Sequence, residues 1–366
     1  MMTPASFGQG AIMGLVIGLD AHLKTCVYKV KDEYGTLVGE GTIPSTPTDL
    51  SALAETYPGS TVVVEASSVT EWIHDCLTDR GLEVFVCHPE NLRRGGRKSD
   101  ELDAGHLADA FRVGALTRAY VPPREIRTLR QLARRAAFLT RERTRFKNRV
   151  HAILQRRGVR LLDDVTDEDA PNVFALKRRD RLLAVGDPEI PVLLDLIDAV
   201  EEKRRALDRE LEGVARSNED VRNLTTIPGF GPLVAVCVYA EVGDVSRFPD
   251  AESLSAYFGL VPMESQSGET RVRGHITRRG PSYVRWLLNQ ASWQHVRLCP
   301  QSSVGKDHKR LARRLGKKRA ITSVGRRLVK VSYWILRERR PFTLNGFDQR
   351  RASTAYPARR DPSRAA

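Results

Sequence analysis

The chain has 366 residues, 41% of them hydrophobic and 28% charged, with a formal net charge of +14. That length accommodates two or three domains with real cores, and the charge calls for a polyanionic partner, most economically nucleic acid. No uncharged run reaches the ~18 residues of a membrane span, residues 1–15 lack the basic start of a signal peptide, and Cys26, Cys76, Cys87, Cys237 and Cys299 form no CxxC pair. The expectation is a cytoplasmic protein with no membrane partner, whose cysteines are buried thiols.

Residues 1–14 are rich in small side chains and read as a leader. Apolar runs predict strands over 15–20, 26–31, 37–43, 60–65 and 83–87, with a turn at Asp32-Glu33-Tyr34-Gly35. Helices are expected over 48–55 and 69–80, the second closed by Gly81, and a third opens at Lys98-Ser99-Asp100-Glu101-Leu102-Asp103-Ala104 and runs to about 116. The order β-β-β-α-β-α-β-α predicts a mixed sheet with helices on its faces.

Ligands of such sheets gather at the carboxyl ends of strands. Asp20 and Glu65 end two of the predicted strands, and Asp100 and Asp103, three apart, project from one face of the helix after the last strand. Taken alone, the helix acids are an N-cap and an acidic first turn. Taken together, four carboxylates from three elements suit Mg²⁺, and two such ions about 3.5–4 Å apart suit phosphodiester chemistry. The alternative is that these acids only terminate strands and cap a helix.

The blocks Gly18-Leu19-Asp20, Val64-Glu65-Ala66 and Lys98-Ser99-Asp100-Glu101-Leu102-Asp103-Ala104 resemble the Asp-Glu-Asp-Asp signature of insertion-sequence transposases. Ser99 stands where that family usually has Thr. The similarity runs to about Phe342. It implies α/β plus α architecture: a RuvC-like, ribonuclease-H-fold catalytic domain over 15–123, a long-helix coiled-coil middle over 124–217, and a mainly helical C-terminal transposase domain over 218–345. A disordered tail over 346–366 would follow. It further implies that Asp20, Glu65, Asp100 and Asp103 are catalytic metal ligands, that donor and target DNA are bound, that a non-coding bridge RNA guides the reaction, and that a homodimer assembles to a tetramer.

Beyond Arg124, Leu129, Leu132, Ala136, Leu139, Arg143, Phe146, Val150 and Ile153 recur three and four apart, a heptad seam interrupted at Arg143. A second seam, from Leu193 through Ile197, Leu207 and Leu211 to Val214, supplies a partner helix, forming either an antiparallel hairpin or a dimerising coiled coil. The outer faces of the first helix are strongly basic, and Arg134, Arg141 and Arg145 are expected to contact phosphate. Residues 163–191 read as an excursion or loop between the two helices.

The C-terminal region opens on Ile227-Pro228-Gly229-Phe230-Gly231-Pro232, which resembles the turn of a helix-hairpin-helix module. Amides at Gly229 and Gly231 could hold a DNA phosphate there, although Pro-Gly turns also occur as plain helix entries. Downstream, Ser265-Gln266-Ser267-Gly268 precedes Arg271, Arg273, Arg278 and Arg279, whose guanidinium groups suit phosphate oxygens. A Ser-Gly pair is most often an ordinary turn. This stretch, however, resembles the second conserved block of the same transposases, which implies that Ser267 attacks DNA, with Ser265 as the second candidate. Residues 306–327 form another basic run.

Two other activities compete. One is a RuvC-like junction nuclease that hydrolyses DNA with activated water and leaves Ser267 idle. The other is an actin-like phosphotransferase, which would need Gly-rich phosphate loops in two repeated halves.

Overall fold

The computed structural model describes residues 14–88, 100–159, 174, 179–267 and 270–343, and at 100–101, 264–267 and 270–273 the backbone alone. The leader over 1–13, most of the 163–191 excursion and the tail from 344 lie outside the described residues. The chain divides into two compact bodies, Met1–Pro122 and Pro123–Ala366.

The first body is built on a five-stranded sheet ordered β3-β2-β1-β4-β5. Its strands are β1 (Val16–Ala21), β2 (Thr25–Lys31), β3 (Leu37–Pro44), β4 (Thr61–Glu65) and β5 (Glu83–Cys87). β1–β2 and β2–β3 pair antiparallel, whereas β1–β4 and β4–β5 are parallel. The parallel connections pass through α1 (Pro47–Thr56) and α2 (Thr70–Thr78). The Thr46 side chain caps α1 by accepting from the Asp49 amide.

Strand alternation decides what each face meets. Ile17, Leu19, Val62, Val64, Val84 and Val86 pack with Leu50, Leu53, Ile73 and Leu77 of α1 and α2. Val16, Val63 and Cys87 pack on the opposite face with Leu107 and Ala108 of α3 (Asp100–Arg112). The expected helix to 116 stops earlier because Gly114 and Ala115 fold their amides back onto the Phe111 and Ala110 carbonyls, a Schellman-type closure. The chain then runs along the sheet, with Ala119 N–H bonding the Val86 carbonyl at 2.7 Å.

The second body is mainly helical. Its two long helices, α4 (Arg124–Arg156) and α6 (Glu189–Ser217), pair as an antiparallel hairpin within the chain. A short α5 (Arg179–Leu183) lies within the expected loop between them. The far half of α4 buries Val150, Ile153 and Leu154 against Leu182, Ile190, Leu193 and Ile197. The near half buries Leu132, Ala133, Ala136 and Ala137 in one core with Leu211 and the helices that follow. These are α7 (Glu219–Thr225), α8 (Pro232–Val242), α9 (Ala251–Tyr257), α10 (Ser282–Leu298), α11 (Ser303–Leu315) and α12 (Lys317–Glu338). Between α9 and α10 a two-stranded ribbon is formed by β6 (Pro262–Ser267) and β7 (Thr270–Ile276). All five cysteines are free; Cys26, Cys87 and Cys237 are buried as expected, but Cys76 and Cys299 are only half-buried.

Candidate active site and nucleic-acid contacts

Glu65 ends β4, and Asp20 is the last residue but one of its parallel neighbour β1, which runs one residue past the predicted end. The register pairs Leu19 with Val64, so the two acids are the next residues on each strand. Both fall on the alternation of Val16, Gly18 and Val63, the face that α3 covers.

Gly18 explains how closely α3 approaches. A Cβ there would sit 1.9 Å from the Ala104 carbonyl oxygen and 2.9 Å from the Ala108 nitrogen, so no larger residue fits beneath the helix. Lys31, opposite Val16, pairs with Asp109 at 2.6 Å, and a Cβ at Gly105 would lie 3.4 Å from the Lys29 side chain, opposite Gly18. Four helical residues rise about 6 Å, close to the ~6.8 Å of two strand residues. One further step therefore brings the first turn of α3, which carries Asp100 and Asp103, to the level of Asp20. The helix runs antiparallel to β1, with its N-terminus at the strand's carboxyl end.

The Asp20 side chain is 16% exposed and its Oδ2 lies 3.3 Å from Nε2 of His22. The Thr70 hydroxyl donates to the Glu65 carbonyl at 2.9 Å and fixes the turn out of β4. Cys87, paired with Glu65 across β4–β5, has its thiol pushed up to about 11, first by burial and then by the Glu65 charge. It stays protonated at neutral pH. Among the described residues, no group of three or more His, Cys, Asp or Glu side chains is close enough to hold a metal ion. The Asp100 side chain lies outside the described residues.

In the second body, Ser267 ends β6 opposite Thr270, so Gly268 and Glu269 connect the strands. Ser265 lies opposite Val272, whereas Arg271 and Arg273 lie opposite Gln266 and Glu264. The serines and these two arginines thus occupy alternating positions of the ribbon, an arrangement that their closeness in sequence conceals. The ribbon's base is held by Arg285, whose Nη1 donates to the Arg279 and Gly280 carbonyls at 2.6 and 2.9 Å. The Arg278 amide bonds the Gly259 carbonyl at 3.2 Å. A cleft of about 260 Å³ opens there, with Arg278, Arg285 and Asn289 in its lining. The sequence matches Val284-Arg285 to the Leu-Arg of the family's second block but gives Arg285 no role, since an arginine on an amphipathic helix carries no sign that its partners are backbone carbonyls.

The arginines of α4 are less available than their sequence suggests. Arg134 donates to Glu241 at 3.0 Å, and Arg130 approaches the same carboxylate at 3.6 Å. Glu241, on α8, is 2% exposed and also accepts from the Tyr283 hydroxyl. Burial, followed by the neighbouring Cys237 and Glu241 charges, holds the Tyr283 hydroxyl above its ordinary range, so it remains a donor. Arg141 stacks 5.0 Å over the Trp286 ring, and Arg145 lies 3.6 Å from Glu142. Acids of α6 meet others: Glu201 faces Arg143 and Lys147, and Glu189 faces Arg149.

At the turn between α7 and α8, Gly229 has φ +95° and a Cβ there would lie 2.6 Å from the Ala291 carbonyl. Its glycine identity is thus accounted for by packing on α10, whereas Gly231 caps α8 with nothing within 4 Å of a Cβ. Buried His295 holds the turn from below, Nδ1 to the Pro228 carbonyl at 2.8 Å and Nε2 facing the Ser302 hydroxyl at 3.2 Å. Because the carbonyl only accepts, Nδ1 carries the proton. Burial lowers the His295 pKa, and the Pro228 bond only partly opposes this. The unfolded chain, with its histidine near 6.5, therefore takes up the proton first. Stability contributed here is intact above about pH 6.5 and is lost as pH falls towards the lower folded-state value. Thermal melting between about pH 7.5 and 5 should show this loss, and His295→Gln should flatten it; an equally steep profile in that variant would assign the acid sensitivity elsewhere.

Residues 221–306 match the family described as Transposase IS116/IS110/IS902 family, and residues 17–157 match a second transposase family, DEDD_Tnp_IS110. The chain belongs to this transposase family. The transposase of insertion sequence element IS1111A from Coxiella burnetii is 27% identical over 246 residues, which span 65% of this chain and 66% of that protein. A putative transposase, y4rJ, from Sinorhizobium fredii is 28% identical over 313 residues, 76% of this chain and 77% of its own. An uncharacterized 44.8 kDa protein of insertion element IS116 from Streptomyces clavuligerus is 27% identical over 298 residues, covering 68% and 74%. Among solved structures, Thermus thermophilus RuvC is similar over 29% of this chain and 99% of its own, with 12% identity and a TM-score of 0.23. The first matched segment of this transposase runs from β1 through α4 and so includes every carboxylate of the candidate site.

Proposed function

We propose that this transposase cleaves and rejoins the DNA of an insertion sequence, using the carboxylates of the first body and a serine of the second. The observation that supports the reading is that Asp20 and Glu65 follow directly paired residues of adjacent parallel strands, on the face of the sheet against which α3 packs. An apolar sheet has no structural need of acids there. The 3-2-1-4-5 strand order, with an acid one residue before the end of the central strand, supports a ribonuclease-H-like, RuvC-like domain.

Asp20, Glu65, Asp100 and Asp103 would hold Mg²⁺, which when bound neutralises charge developing at a phosphodiester. Ser267 forms the new bond, Oγ to phosphorus, while the bond from phosphorus to the leaving strand end breaks and the hydroxyl proton passes to a base or solvent. The resulting phosphoserine link conserves bond energy, so strands are rejoined without a nucleotide cofactor. Arg271, Arg273, Arg278 and Arg279, with Arg134, Arg141 and Arg145 and the Gly229–Gly231 amides, would position phosphates. Donor and target DNA are the substrates, paired by a non-coding RNA, and a homodimer assembling to a tetramer acts in the cytoplasm. No described helix is long and apolar enough to cross a membrane.

The test is an excision assay with the full chain, DNA spanning an element end, its flanking non-coding transcript and Mg²⁺. Strand cleavage is expected, and both chelation and Asp20→Asn should abolish it. Cleavage that survives both treatments would sink the metal-carboxylate reading.

A further inference from the structure

The strongest unassigned feature is a cationic ridge on α11 and the start of α12. Val304, His308, Leu311 and Ala312 recur three and four apart and turn inwards, from buried to half-buried. The other side of α11 and the elbow after it expose Lys309, Arg313, Arg314, Lys317, Lys318 and Arg319. Lys306 and Arg310 extend the same surface. Asp307 is the only acid between Ser303 and Arg337, and it is already engaged by Arg310 at 2.8 Å and by Arg327. Among the described residues, no acid pairs with the six cations of the ridge.

The contrast with α4 is the point. There, acids from α6 and α8 pair with Arg130, Arg134, Arg143, Lys147 and Arg149, five of the helix's eleven basic residues. Among the described residues no acid answers the six ridge cations, and cations held that close together repel unless a polyanion lies against them. All but Lys306 also lie beyond the matched segment that ends at residue 306.

We infer that this ridge docks the sugar-phosphate backbone of duplex DNA, independently of base sequence; the inference rests on the transposase reading above. Cations at 306, 309, 310, 313 and 314 form one helical stripe on the order of 12 Å long, and one strand of a duplex presents a phosphate per ~3.4 Å of axis, so about three to four phosphates of a strand span that length. The residues that follow continue the contact round the elbow.

The experiment compares full-length wild type, Lys317→Ala/Lys318→Ala/Arg319→Ala, and a control with the same charge removed from exposed positions of α6, Lys203→Ala/Arg205→Ala/Arg209→Ala. Affinity for a labelled element-end duplex and for an unrelated duplex is measured from about 50 to 200 mM salt, with thermal melting to establish that each variant is folded. The ridge variant should lose about 0.9 of salt slope for each phosphate contact removed, up to about 2.7 for three, and weaken equally on both duplexes. The control should keep the wild-type slope. An unchanged slope in the ridge variant, an equal loss in the control, or a loss confined to a labelled RNA overturns the inference. A wild type that binds no DNA overturns the transposase reading itself; steep wild-type binding retained by the ridge variant overturns only the ridge.

Discussion

Asp100→Asn and Asp103→Asn are each expected to reduce strand cleavage by about a thousandfold or more, while DNA affinity stays within about twofold of wild type. A carboxylate that holds a catalytic cation supports several kcal/mol of transition-state charge stabilisation, and each ~1.4 kcal/mol is a factor of ten. Asparagine keeps the shape and removes the charge. Losing a negative charge near a polyanion does not weaken ground-state binding, so the two readouts should separate. The helix cost is small: an acid in a first turn contributes about 0.3–1 kcal/mol through the helix dipole, too little to unfold a domain. Cleavage and filter binding, measured on the same preparations, check the prediction. Joint loss of binding, cleavage and thermal stability would show that the acids serve the fold.

The second large effect is at Ser267. With denaturation during turnover and end-labelled DNA, wild type should yield a covalent protein–DNA adduct, Ser267→Ala none, and Ser265→Ala an undiminished amount. Cleavage should fall with the adduct, because a reaction through a phosphoserine cannot proceed without the hydroxyl. An unaltered cleavage rate in Ser267→Ala would transfer the chemistry to water and favour a junction nuclease. Ser267 and the acids belong to different bodies of the chain, so a mixing experiment adds information. Activity restored by combining Ser267→Ala with Asp103→Asn subunits means that one subunit's serine serves its neighbour's carboxylates. No restoration places both on one chain.

Much of this protein was legible in the order of its residues. Short apolar runs over β1, β4 and β5 predicted element type, and an acid at the end of each of the first two runs located the carboxyl ends of the strands. Those signals are local: a strand's period is two residues and a helix turn spans four, so a short window suffices. The motifs around Asp20, Glu65 and Asp100–Asp103 identified the family for the same reason.

What needed the tertiary structure were the relations between distant windows. Gly18 is an unremarkable strand glycine until Ala104, 86 residues later, proves to lie against it. The seams around Leu132 and Leu211 fitted a dimer or a hairpin equally, and only folding brought the two helices of one chain together. Charge was the least legible property. Arg134 counted as a free cation because Glu241 is 107 residues away, and the acids that answer Arg143 and Arg149 lie on another helix. Net charge is a sum over the chain, but available charge depends on which acids the fold brings within a few ångströms. That is why the basic face of α4 dominated the sequence, whereas in the folded protein five of its cations meet acids of other helices and a run of six on α11 and the start of α12 meets none among the described residues.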